Sequence, residues 1–365
     1  MTHKDILTPN TPGLAFGAMR MPEIDLAGKM VDTYLGSGYN YFDTAYAYAG
    51  SEELLKKTLV KRHPRNSYML ANKLPNWLVK KPGDAKDLLE ESLKRCGLDY
   101  FDFYLIHSLA DAGEQRVIDM ELFEFACEQK KRGLVKHVGF SFHGTTPYLE
   151  RLLNRYPDVE FVMLQLNYLD ILRGQAGQWQ QLALKHNKPI LVMEPVKGGT
   201  LAALPPQAEA LFKAHDPARS IASWAVQYAA TLEGATAMLS GMSTMEQLED
   251  NLKTFQNLKP LTQEEMVLIE SVLVEMGKVA SVPCTACKYC LEPCPQGIDI
   301  AKCFTLYNDV KRNQNQKWNA TMMYGILPQD AKAHNCTSCG LCVPHCPQHI
   351  DIPQGLKEVD DLLTS

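Results

Sequence analysis

Asp102-Phe103-Tyr104-Leu105-Ile106-His107 is a short run that opens on a carboxylate, continues through apolar residues and closes on a histidine. A continuous apolar stretch of this length reads as a buried strand rather than as one face of a helix. Two runs upstream end similarly: Tyr41-Phe42-Asp43 closes on a carboxylate, and Tyr68-Met69-Leu70-Ala71 leads into Lys73. Asp43, Lys73 and His107 are separated by 30 and 34 residues, about one strand-helix unit each.

Working outward, residues 13 to about 257 alternate short apolar runs with longer amphipathic segments. Strands are expected at 14–19, 41–43, 68–71, 103–107, 135–141, 161–166, 189–193 and 237–239. Helices are expected between them, among them 26–35, 51–59, 85–96, 120–132, 178–186, 220–229 and 245–255. Eight such units in an α/β chain predict a (β/α)8 TIM barrel, with its active site at the C-terminal ends of the strands. A doubly wound sheet is the alternative, but the G-x-G-x-x-G turn is missing after the first strand. Beyond the barrel, Thr262-x-x-Glu265 forms a capping box that opens a helix through Met276. The expected division is a barrel at 1–260, a linking helix at 261–281 and a small, largely helical domain at 282–365.

Barrel geometry brings Asp43, Lys73 and His107 to one rim, joined by Tyr48 from the loop after the second strand. In Phe42-Asp43-Thr44-Ala45-Tyr46-Ala47-Tyr48, in Lys73 and in Asp102 to His107, the chain resembles the aldo-keto reductases, over essentially all of residues 13–257. The resemblance implies that Tyr48 is the general acid, Lys73 and Asp43 its tuning pair, and His107 the orienter of a substrate carbonyl. The chemistry calls for these residue types. A phenol titrates near 10, so it protonates a carbonyl oxygen efficiently at neutral pH only when a neighbouring ammonium favours the phenolate. A carboxylate keeps that ammonium charged and in place. Singly, each of the four has an ordinary structural role available, such as a helix cap, a solvated lysine or a core ring; their matched positions in successive units point to a site.

The resemblance also implies a nicotinamide site. Ser141 and Gln165 match carboxamide-holding positions, while Phe142 stands where the family has Asn, and Met193 and Glu194 replace an aromatic and a small polar residue. Gly241, Ser243, Gln247 and Asn251 resemble the adenosine end, with Gln247 in place of an arginine. Lys197-Gly198-Gly199-Thr200 and Gly241 occupy the usual phosphate corner of a barrel, where backbone amides and a lysine suit a dinucleotide or a flavin phosphate equally. NADPH, NADH and flavin therefore stay open. Met19, Met21, Tyr46, Trp77, Phe142 and His143 are expected to line an apolar mouth suited to a small-molecule carbonyl or alcohol.

Eight of the eleven cysteines form two copies of C-x2-C-x2-C-x3-C-P, at Cys284, Cys287, Cys290 and Cys294 and at Cys336, Cys339, Cys342 and Cys346. The spacing is that of a bacterial-type ferredoxin with two [4Fe-4S] clusters, in which the fourth cysteine of each run ligates the other cluster. Carried onto this chain, the resemblance gives Cys284, Cys287, Cys290 and Cys346 to one cluster and Cys336, Cys339, Cys342 and Cys294 to the other. Zinc and disulfides fit the spacing poorly. Cys96, Cys127 and Cys303 match no motif and read as buried thiols. Between the motifs, residues 301–312 read as a helix, with Phe304, Leu306, Tyr307 and Val310 on its apolar face.

A hydrophobic share of 45% and a charged share of 22% describe an ordinary globular chain. The 37 basic and 42 acidic residues are well mixed, which leaves no footprint for nucleic acid or membrane. The opening Met1-Thr2-His3-Lys4-Asp5 is polar, so no signal peptide is expected, and cluster thiols call for a reducing, cytoplasmic setting. Three functions follow. The first is an NAD(P)H-dependent carbonyl reductase or alcohol dehydrogenase carrying clusters. The second is a cluster-fed oxidoreductase using a flavin or a partner electron-transfer protein. The third is a non-enzymatic redox or iron sensor, against which the intact four residues count.

Overall fold

The computed structural model describes residues 13–279, 281–312, 317–325 and 327–364; the opening residues of the chain lie outside these. Eight strands form a closed barrel in chain order: β1 Gly13–Gly17, β2 Tyr41–Asp43, β3 Met69–Pro75, β4 Phe101–Leu109, β5 Val135–Phe142, β6 Phe161–Gln165, β7 Ile190–Met193 and β8 Ala235–Ser240. All neighbouring pairs are parallel, β8 closing on β1. The eight expected strands are all present. Four run beyond their expected ends: β3 continues to Pro75, β4 to Leu109, β5 to Phe142 and β8 to Ser240.

The barrel interior alternates small and large side chains, as a closed eight-stranded barrel requires if it is to be filled. Tyr41, Phe103 and Phe161 project inward among Ala15, Ala71 and Ala237. Tyr41 and Phe103 meet edge to face at 5.2 Å, and Phe103 meets Phe161 at 5.5 Å. Gly139 on β5 makes room for Phe161, because a Cβ at that position would lie 2.6 Å from the ring.

The expected helices are formed with small shifts of their ends. The 51–59 segment is α-helical over Ser51–Leu55 and widens to a π-helix over Lys56–Val60. The capping box is complete: Glu265 Oε2 accepts from Thr262 N at 2.7 Å, and Thr262 Oγ1 accepts from Glu265 N at 3.2 Å. It opens the helix Gln263–Gly277.

The chain falls into two compact units whose limits differ from a simple division near residue 260. One comprises Met1–Pro195 and Ala225–Leu261; the other comprises Val196–Trp224 and Thr262–Ser365. Val196–Trp224 joins the second unit because it packs on the Gln263–Gly277 helix. Arg219 Nη1 donates to Glu265 Oε1 at 3.1 Å, the Arg219 guanidinium lies 3.6 Å from the Trp224 ring, and that ring stacks on Phe212 at 4.6 Å. In the same unit Ile300–Arg312 buries Phe304, Leu306, Tyr307 and Val310, the apolar face expected from the sequence, and Ile352–Leu363 packs Leu356 and Val359 into the same core.

Gly139→Ala tests the barrel filling. Phe161 is fully buried and has no room to retreat, so the added methyl should destabilise the barrel by about 1–3 kcal/mol. Denaturant unfolding followed by tryptophan fluorescence checks this, and an unchanged midpoint would mean that the interior repacks freely.

Candidate active site and cysteine centres

The two-residue alternation of the strands decides which side chains reach the barrel axis. Tyr41, Ala71, Phe103, Leu105, Phe161, Met163 and Leu191 belong to the interior core. Two residues further along their strands stand Asp43, Lys73, His107, Gln165 and Met193, so these form the next inward layer, toward the C-terminal rim. Ser141 follows Gly139 in the same way. Asp43, Lys73 and His107 are 2%, 1% and 2% exposed, which removes nearly all solvent from the charges they carry.

Lys73 Nζ donates to a carboxylate oxygen of Asp43 in a short charged hydrogen bond, to Thr44 O at 2.9 Å and to Tyr48 Oη at 3.2 Å. The ammonium thus has three oxygen partners converging on it. Burial raises the Asp43 pKa and lowers that of Lys73, and the attraction between the two opposes both shifts. Breaking such a buried pair by removing one partner typically costs about 3–5 kcal/mol. The Tyr48 ring stands 5.7 Å from the His107 ring at 82°, and Trp77 flanks His107 at 5.2 Å. Burial, followed by the charge of Lys73, holds the His107 pKa well below the ordinary histidine range, so the imidazole is neutral and can donate one N–H. Asn76 donates to the His107 carbonyl and fixes the end of β4. All four residues expected at the catalytic site are therefore brought together.

The expected carboxamide positions are also on the rim. Ser141 Oγ accepts from Ser108 N at 2.7 Å, and Gln165 Nε2 donates to Asp170 Oδ2 at 2.7 Å. Asp170 is held in turn by Asn167 Nδ2 at 2.8 Å. Asn76, Asn167 and Asp170 were not singled out from the sequence; each follows the end of a strand and supports a site residue.

Phe142 does not line the mouth. It follows the inward-facing Ser141 and so points outward, where it meets Tyr148 at 5.8 Å and Trp179 at 5.5 Å in the helical layer. Tyr46 is likewise engaged by Arg95, whose guanidinium lies 4.4 Å from its ring.

At the positions expected to face adenosine, Ser243 Oγ donates to Arg20 O at 2.7 Å, Ser243 N donates to Gln247 Oε1 at 2.8 Å, and Asn251 Nδ2 donates to Ser240 Oγ at 2.8 Å. These bonds shape the loop leading into the helix Met245–Gln256, which Thr244 caps. A Cβ on Gly241 would meet nothing within 4 Å. Lys197 and Gly198 fall in the second compact unit, where Lys197 Nζ donates to Gln348 Oε1 at 3.0 Å.

The eight motif cysteines border two hollows of nearly equal volume. The first, about 310 Å³, is lined by Cys284, Cys287, Cys290 and Cys346; the second, about 300 Å³, is lined by Cys294, Cys336, Cys339 and Cys342. Each motif thus gives three thiols to one hollow and its fourth to the other. Among the described residues no three His, Cys, Asp or Glu side chains converge tightly enough to hold a single ion. The thiols instead surround a volume. Burial and then the neighbouring thiols push the Cys290 pKa upward, and the same causes push Cys342 up to about 11. Such thiols need a cationic core before they can ionise together. Cys96 and Cys303 are buried, as expected, whereas Cys127 is only half-buried.

Comparison with known proteins agrees with both parts. The aldo/keto reductase family model matches residues 13–274, and a 4Fe-4S dicluster domain matches residues 283–350. The uncharacterized oxidoreductase YqkF of Bacillus subtilis is 25% identical over 68% of this chain and 88% of its own length. The aldehyde reductase YPR1 of Saccharomyces cerevisiae is 28% identical over 68% of this chain and 87% of its own. Among solved structures, the aldo-keto reductase AKR11C1 from Bacillus halodurans in its holo form superposes with a TM-score of 0.58 at 25% identity, over 71% of this chain and 91% of that one. An aldo/keto reductase from Klebsiella pneumoniae in complex with NADP and acetate shares the fold, with a TM-score of 0.59 at 20% identity over 72% and 91% of the two chains. With most of its length matched and the strand-end residues assembled, the chain belongs to the aldo/keto reductase family and is an oxidoreductase bearing a 4Fe-4S dicluster domain.

Proposed function

We propose that this protein reduces a small-molecule carbonyl, or oxidises the corresponding alcohol, with NAD(P)H, and that its C-terminal domain holds two [4Fe-4S] clusters. The observation that carries the first part is the Lys73 ammonium, buried between the Asp43 carboxylate and the Tyr48 phenol, 3.2 Å from Tyr48 Oη. NAD(P)H would supply the hydride to the carbonyl carbon. Tyr48 gives its proton to the carbonyl oxygen, the Lys73 ammonium stabilises the phenolate left behind, and solvent restores the proton. The neutral His107 donates a hydrogen bond to the same oxygen and orients the carbonyl. Alcohol oxidation runs the same proton path in reverse.

Two features support a nicotinamide cofactor. With Gln165 Nε2 donating to Asp170, the amide oxygen is the group suited to a carboxamide N–H, and Ser141 offers a hydroxyl on the adjacent strand. At the other end, the open space at Gly241 precedes the capped N-terminus of Met245–Gln256, where backbone amides favour phosphate. Ser243, Gln247 and Asn251 hold that loop in shape.

The two cysteine-lined hollows support the cluster assignment. Cys284, Cys287, Cys290 and Cys346 would hold the first cluster, and Cys294, Cys336, Cys339 and Cys342 the second, each supplying a one-electron couple.

Three outcomes are expected. Tyr48→Phe should lower kcat for aldehyde reduction by about 10²–10⁴-fold while iron content stays at the wild-type value; comparable turnover would remove Tyr48 as the acid. In histidine NMR, His107 should remain neutral at pH 6.5 and above. Because the unfolded chain takes up that proton near 6.5 and the folded chain does not, His107 subtracts stability as pH falls below about 6.5. A His107 titration at or above 6.5 contradicts the neutral-donor role. Cys294→Ser combined with Cys339→Ser should lose no more iron than either single change, whereas Cys294→Ser with Cys287→Ser should lose nearly all of it. The opposite ranking would assign each motif to its own cluster.

A further inference from the structure

The loop after β7 carries Lys197 and Gly198, residues placed by the sequence at a phosphate corner. Both are fitted instead to the cysteine motifs of their own compact unit. Lys197 is 4% exposed, and its ammonium donates to Gln348 Oε1 at 3.0 Å. Gln348 stands two residues after Cys346 and lines the first hollow. Gly198 has φ 63°, and a Cβ there would lie 2.5 Å from Thr285 O and 2.6 Å from Thr285 Cα. Thr285, beside Cys284, lines the same hollow. The obstacle is backbone, so it yields only if the cysteine loop itself moves. Lys197 holds φ 46°, a conformation uncommon for a side chain of its size. Two consecutive left-handed residues therefore seat the ammonium on Gln348, in the wall of the first hollow.

We propose that Lys197 is a redox-tuning residue of the first cluster: its ammonium, anchored by Gln348, raises that cluster's reduction potential and takes no part in holding a nucleotide phosphate. The inference rests on the assignment of the first hollow to a [4Fe-4S] cluster. One-electron reduction oxidises the donor by one electron and adds one negative charge to the cluster and its thiolates. A cation buried nearby stabilises that added charge, because low surrounding polarity preserves its field. Gln348 is suited to the anchoring role, since a neutral amide positions the ammonium without cancelling its charge, as a carboxylate would. The repeat supplies an internal control: Gln296, two residues after Cys294, is the equivalent residue at the second hollow.

The test is an anaerobic redox titration of the full-length, cluster-loaded protein, followed by electron paramagnetic resonance with dithionite as the reductant. Two signals and about eight irons per chain in the wild type are the precondition; their absence overturns the cluster assignment before any variant is compared. Cys287→Ser identifies the signal of the first cluster. Lys197→Met should then lower the reduction equilibrium constant of the first cluster by about tenfold, a shift of about 59 mV to more negative potential. The second signal should not move, and the dissociation constant for NADPH should change by less than about twofold. Unmoved potentials with NADPH binding weakened by about tenfold or more would return Lys197 to the phosphate and overturn the proposal. Equal shifts in both signals would also overturn it, as a general disturbance. If Lys197→Met loses iron from the first site, Lys197→Gln, which keeps a hydrogen-bonding group, is titrated in its place. A wild-type midpoint in that neutral variant would reduce Lys197 to a structural role and sink the idea; a negative shift would support it.

Discussion

The active site depends on one buried ion pair. A lysine and an aspartate lie in a nearly solvent-free barrel interior, 1% and 2% exposed, and each carries a desolvation cost that only the other, with Thr44 O and Tyr48 Oη, offsets. Such a pair contributes little net stability compared with a packed apolar pair. What it provides is a fixed positive charge beside a phenol, in surroundings that do not screen it. Everything around it serves that placement: the register that sets Gly17 beside Asp43 and Pro75 beside His107, and the small residues lower in the barrel that let large rings close it from beneath. A one-residue slip of β2 or β3 would turn Asp43 or Lys73 into the helical layer and leave its partner's charge buried alone.

Much of this was legible from the chain. The strand positions, the capping box at Thr262 and the strand-end residues Asp43, Lys73 and His107 followed from patterns set by local geometry, namely an apolar run, a cap spacing and a repeat of about one strand-helix unit, while Tyr48 came from the family resemblance. The direction of Phe142 was legible too, although the family likeness pointed elsewhere. Once Ser141 faces inward, alternation sends its neighbour outward, and Tyr148 and Trp179 receive it. The supporting residues were harder to find. Asn76, Asn167 and Asp170 act through hydrogen bonds within and across loops, and such bonds leave no periodicity in a sequence. The partners of Lys197 and Gly198 were hardest of all, because nothing in a lysine followed by two glycines announces the side chain of Gln348 or the backbone of Thr285 that stand against them.

The cysteines illustrate the opposite case, where covalent spacing carries nearly all the information. Each hollow is walled by three thiols of one motif and the fourth of the other, which is the exchange of ligands that the proposed cluster assignment requires. That exchange ties residues some fifty positions apart into one cooperative unit, with Phe304, Leu356 and Val359 packed behind it. Asn308 closes the approach to the first motif, donating to Val282 O at 2.7 Å and accepting from Val282 N at 2.8 Å. The buried thiols have raised pKa values, so metal-free protein carries acids there that a cluster would convert to ligands. Loading should therefore release protons and stabilise this unit in particular.

The division of the chain has a consequence for any attempt to separate hydride chemistry from electron transfer. The backbone passes from one compact unit to the other after Pro195, after Trp224 and after Leu261. A truncation at residue 261 would therefore remove Glu265 from Arg219, Gln348 from Lys197 and the Thr285 backbone from Gly198, while leaving those three residues in place. A buried ammonium would lose the Gln348 acceptor, and the segment between β7 and β8 would lose the Gln263–Gly277 helix on which it packs. Loss of carbonyl reduction in such a truncated chain would not establish that cluster electrons reach the substrate, since the same loss follows from an unsupported β7 loop. Substitutions confined to one cysteine or to Lys197, in the full chain, keep that loop on its support and vary the cluster alone.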